Sequence, residues 1–135
     1  MANIAAQSLY EQKQREFATA GSGNERFEDD FVDSVNLATS EINIRADLET
    51  RIGKIATLED TVALSDEYLH VLSHMVTVCL MKKGQRPGRG AESNFEVMER
   101  QIPKLVDQVR SSILNQSQDA DDDDEVDVTA LGGLG

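Results

Sequence analysis

The sequence predicts a mainly α fold: a small bundle of three to four helices, with an irregular or short β connection and an extended C-terminal arm. Three observations predict it. Two long segments repeat apolar residues at three- and four-residue steps, and a third is apolar on nearly all sides. From residue 118 onward the chain turns to acids, small residues and glycine. These features divide the chain into an N-terminal helix and joint (1–23), a helical domain (24–117) and an acidic C-terminal arm (118–135).

Residues from about Asn3 to Ala20 are rich in Ala, Gln, Glu and Lys, which favour helix. Ala6, Tyr10 and Phe17 lie near one face, but Lys13 interrupts it. So thin a stripe predicts a helix weakly held by its own domain, able to pack on a partner. Gly21-Ser22-Gly23-Asn24 ends it and supplies a joint.

The next segment, about Asn24 to Asp47, is a core helix. Phe27, Phe31, Val35, Ala38, Ile42 and Ala46 form its stripe, with Val32 and Leu37 nearer the edges. Asn24 suits the N-cap, and Glu28, Asp29 and Asp30 sit where the helix dipole favours anions. From Leu48 to Leu64 the helical period fades. Gly53, Thr57, Thr61 and Val62 suit short extended segments or an irregular connection, and a strand pair of roughly 51–55 with 60–64 is one form the first could take.

Ser65-Asp66-Glu67 reads as a helix start, with a capping hydroxyl and two acids. The run from Tyr68 to Met81 that follows is apolar all round, which predicts a central helix covered on more than one face. It is too short to cross a bilayer, so the cover must be protein. Lys82 to Gly90 is a basic loop, broken by Gly84, Pro87, Gly88 and Gly90. Ser93 and Glu96 have capping-box spacing, and Phe95, Met98, Ile102, Leu105, Val109 and Ile113 form a second stripe. Pro103 inside that stripe predicts a kink or a break.

Charge narrows the function. The net charge is −12, and no base follows Arg110. Seven of the 25 acids lie between Asp119 and Asp127, which leaves eighteen against thirteen bases elsewhere, a net charge of −5. Such a balance argues against wrapping DNA or lying on anionic lipid. The acid run should repel itself and extend. Beyond it, Val126, Val128, Leu131 and Leu134 read as contacts for a partner surface. The opening residues carry neither portion of a secretory leader, which places the protein inside a cell or in a particle assembled there.

No residue set supplies an active site, a cofactor site or a metal site. Asp66, His70 and His74 share a helix face, yet there is no glutamate in the metalloprotease position and no second ligand pair. Cys79 lies mid-helix between Val78 and Leu80, where nothing lowers a thiol pKa. The Gly84–Gly90 loop follows a helix and lacks the Gly-Lys-Ser/Thr ending of a phosphate loop. Its bases, Lys82, Lys83, Arg86 and Arg89, can serve as a solvated loop, pair with acids of another subunit, or touch a phosphate backbone without sequence preference.

Over about residues 27–114 the chain resembles the head-to-tail connector (adaptor) proteins of tailed bacteriophages. The resemblance rests on Phe27-Glu28-Asp29-Asp30-Phe31-Val32 opening an early helix and on the irregular stretch to Val62-Ala63-Leu64. It rests further on Ser65-Asp66-Glu67-Tyr68-Leu69 entering an apolar helix, then a loop, then an amphipathic helix. Ser65 stands where the family often has proline, and the N-terminal helix and acidic tail exceed its minimal pattern. The resemblance implies a non-enzymatic subunit of a ring homo-oligomer, usually a dodecamer, at the head–tail junction of a virion assembled in the host cytoplasm. Its implied partners are further copies of itself, the portal protein and a tail or nozzle protein, with non-specific contact to passing DNA and none to membrane. A different class fits the same charge pattern: a small acidic regulatory protein acting on a polymerase or DNA-binding protein.

Overall fold

The structure, a computed structural model, describes residues 3–18, 26–48, 51–88 and 95–125, with side chains to residue 115 in the last stretch. It is mainly helical, in keeping with the predicted small bundle. The organising element is α3 (Leu69–Lys82), in which Val71, Leu72, Met75, Val76, Val78 and Leu80 are buried. A 3-10 turn, Asp66–Tyr68, leads into it, and the Ser65 hydroxyl accepts a hydrogen bond from the Glu67 amide at 3.4 Å.

Two long helices cover α3. α2 (Arg26–Arg45) buries the whole predicted stripe, Phe27, Phe31, Val35, Ala38, Ile42 and the following Ala46. α4 (Phe95–Glu125) buries Ile102, Val106 and Val109, and packs Phe95, Met98, Leu105 and Ile113 at the margin. The predicted stripe omitted Val106, whose position lies at the centre of the buried arc. Both helices pack extensively on α3 and only slightly on each other. Helix α4 runs unbroken through Pro103, which is exposed.

Three expectations are corrected. Residues Asn3–Ala5 are strand (β1), and α1 covers only Ala6–Glu16. Ile4 and Ala6 are buried beside the partner strand, and pairing there outweighs local helix preference. Far from being loosely held, α1 buries Leu9, and its Tyr10 packs edge-on to Phe31 at 5.2 Å and tilted to Phe27 at 5.9 Å. Next, strand β2 (Thr61–Ser65) pairs antiparallel with β1, not with 51–55. The 51–55 segment has other partners, two asparagines one heptad apart on α2. Asn43 binds both the amide and the carbonyl of Ile52 (2.7 and 3.0 Å), and Asn36 does the same for Ile55 (2.8 and 2.9 Å). Each side-chain amide thus replaces one rung of a ladder, and Ile52 and Ile55 turn into the core. Finally, the backbone of 118–125 does not extend as a spacer. It continues α4, because propagation adds a hydrogen bond for each residue fixed. The joint at 21–24, the cap residues Asn24 and Ser93, and the arm residues after Glu125 lie outside the described residues.

The C-terminus of α3 closes in a Schellman motif. The Gln85 amide reaches the Leu80 carbonyl (3.0 Å), the Gly84 amide reaches Met81 (3.1 Å), and Gly84 has φ 95°. α2 ends similarly on Asp47 at φ 52°, with the Leu48 amide on the Asn43 carbonyl at 3.3 Å.

Two outcomes follow for urea denaturation. Asn43→Ala strands a buried amide and a buried carbonyl, and should cost about 2–4 kcal/mol, against about 1–2 for the less buried Asn36→Ala. Gly84→Ala should cost about 1 kcal/mol, while Asp47→Gly, which relieves the same backbone conformation, should be neutral or stabilising.

A candidate interaction surface

The predicted basic loop is not a free set of charges. Lys82 belongs to the last turn of α3 and pairs with Glu99 of α4 at 2.7 Å, while Lys83 pairs with Asp33 of α2. Both ammonium groups are held above the usual lysine pKa by these hydrogen bonds. The chain after them is tied down as well. Gln85 donates to the buried Asp30 (2.8 Å), Ala18 donates to the Arg86 carbonyl (2.9 Å), and Pro87 forms a β-bridge with Phe17. Arg89 lies outside the described residues, as do the arm residues Val126, Val128, Leu131 and Leu134.

Sequence reading missed the most unusual side chain of the molecule, Lys13. It is 1% exposed, and its ammonium donates to Ser73 Oγ (2.6 Å), Thr77 Oγ1 (2.8 Å) and Glu16 Oε1 (2.9 Å). Ser73 and Thr77 are one turn apart on the polar arc of α3, so the lysine that interrupts the apolar face of α1 fits the hydroxyls that interrupt α3. The available signal was this match of two interruptions, which needs the helix pairing to be known first. Burial pushes the Lys13 pKa down, with Glu16 opposing.

The clamp forms one wall of a cleft of about 710 Å3 between α1 and α3. Asp66, His70 and His74 all line it, together with Leu69 and Phe17. The shared face predicted for these three residues is therefore present, but among the described residues no three potential ligands converge as a metal group. His74 Nε2 lies 2.8 Å from the Met98 carbonyl, a contact in which the ring nitrogen donates and α3 is joined to the first turn of α4. Cys79 is half buried, and burial pushes its thiol up despite Lys82 nearby, which keeps the nucleophilic thiolate scarce.

The outward faces carry a different chemistry. On α2, Leu37 (51% exposed) and Ile44 (67% exposed) stand two turns apart on one line. On α4, Arg100, Lys104 and Arg110 are exposed and enter no ion pair among the described residues. Leu114, 50% exposed, follows them. No helix among the described residues is long and apolar enough to cross a membrane. Comparison with protein families, with curated proteins and with solved structures finds no match.

Titration separates the Lys13 clamp from ordinary packing. A lysine with a folded pKa below its unfolded value of 10.5 holds fewer protons folded than unfolded, so its contribution to stability rises as pH climbs through the folded pKa. Lys13→Met removes that titration. The difference in unfolding free energy between wild type and this variant should therefore shift towards wild type between neutral pH and about pH 10. Lys13→Ala, which also leaves a cavity, should cost about 2–4 kcal/mol at neutral pH.

Proposed function

We propose that this protein is a structural ring subunit of a tailed-phage neck, joining the portal of the head to the tail and lining the DNA passage. The observation that carries the reading is the order of elements. An early core helix, an irregular connection, a short strand, an Asp66–Tyr68 turn, a buried apolar helix and a closing amphipathic helix follow one another as the resemblance implies. In this reading the protein performs no chemistry. It acts by position, in the virion at the head–tail junction, after assembly in the host cytoplasm.

The packing supports a role in a ring. Because α2 and α4 flank α3 with little mutual contact, their outward faces look away from different sides of the subunit. A heterologous contact, which generates rings, needs two such unlike faces on each copy. Both faces carry exposed large apolar residues, Leu37 and Ile44 on one and Leu114 on the other. The partners are then further copies of the chain, the portal, and a tail or nozzle protein.

Antibody labelling of purified particles from the source, followed by imaging, tests the proposal. Label at a single vertex, the head–tail junction, is the expected result, and truncation after Ser117 should reduce particle assembly or portal binding. Particles that lack the chain altogether would remove the reading and favour affinity capture of a regulatory target.

A further inference from the structure

The cleft beside Lys13 does not stop at the middle of α1. A second hollow of about 420 Å3 continues it along β1, and Gln12, Asp66 and Leu69 line both. Together they make one groove from Asn3 to Phe17, about 26 Å long over the strand and the helix. We propose that this groove receives the C-terminal arm, Val126 to Leu134, of a second copy of the chain.

Two ties fix where that arm departs. Lys82 meets Glu99 and Tyr68 meets Ser112, so α4 runs antiparallel along α3. Its backbone then continues as helix to Glu125, about 20 Å past the Tyr68 end of the body. Extended chain advances about 3.3 Å per residue, so about six residues are spent before an arm returns to its own body. Val126 and Val128 therefore cannot enter their own groove, whereas the groove of another copy is open to them. The acid run itself is excluded as occupant, because Glu16, Asp66 and Glu67 line the inner half of the groove and like charges repel. After Asp127 the arm carries no ionisable side chain, and Val128, Leu131 and Leu134 bring apolar contacts.

Length and direction also agree. Val126 to Leu134, laid out extended, spans about 26 Å, the length of the groove. With Val126 entering at the β1 end, Asp127 falls in the outer hollow, which Arg15 lines. Gln12 then lies about 19 Å along the groove, level with Leu131, and faces Leu69, 37% exposed where the two hollows join. The other exposed apolar pair, Leu37 and Ile44, stands on the outer face of α2, and the hollow beside Leu37 holds about 110 Å3, room for one side chain. That such contacts repeat from copy to copy until a ring closes rests on the proposed function.

The test is disulfide trapping in full-length chain that carries Cys79→Ser. Gln12→Cys is combined with Leu131→Cys, and Leu69→Cys with Leu131→Cys serves as a second pair on the opposite wall. Mild oxidation should join position 131 of one chain to position 12 or 69 of another, read on non-reducing gels and by peptide mass spectrometry. A control pair, Leu37→Cys with Leu131→Cys, should cross-link about ten-fold less, and adding Leu134→Ser to either groove pair should lower its yield about ten-fold. Bonds formed within one chain, equal trapping at Leu37, or no trapping by either groove pair in variants of wild-type helicity would overturn the contact. The ring reading would then still be decided by particle labelling. Trapped pairs without larger species would uphold the contact and count against the ring.

Discussion

Everything in this fold answers to one constraint: α3 is apolar around most of its circumference and must be covered from several directions at once. Six of its fourteen residues are buried aliphatic or thioether side chains spread over more than one face. No single neighbour can cover such a helix. α2 and α4 take two sides, and α1 reaches the remaining arc through Lys13, whose ammonium meets Ser73 and Thr77 beside the cleft. The short β1–β2 pair follows from the same need, since it ties the start of α1 to the chain entering α3.

Apolar cover is permissive about register, and the polar ties supply what it lacks. Each covering element is located by a specific contact that would be lost on sliding by one turn. Lys13 positions α1 on Ser73 and Thr77, His74 positions α4 on α3 through Met98, and Tyr68 reaches Ser112 at 2.9 Å. Asn36 and Asn43 fix the 51–55 segment along α2. Burying these groups costs desolvation, and each is worth little net when paired, but leaving one unpaired is expensive. That asymmetry is what selects one arrangement among several of similar apolar area.

The same division explains what the sequence disclosed. The α2 stripe, the buried α3 and the bulk of the α4 stripe are periodic features, and periodicity is written within one segment. The fates of Lys13, Asn36 and Asn43 depend on which segments become neighbours, and nothing in their own surroundings announces it. Thr61 to Ser65 reads as strand from its composition, yet its partner, Asn3–Ala5, is nearly sixty residues away and looks helical by itself. For the candidate surface, the cluster of bases at Lys82 and Lys83 drew attention because it is dense. The structure shows both of them neutralised, while Arg100, Lys104 and Arg110, dispersed in sequence, alternate with the exposed acids Glu96 and Asp107 along the outer side of one helix.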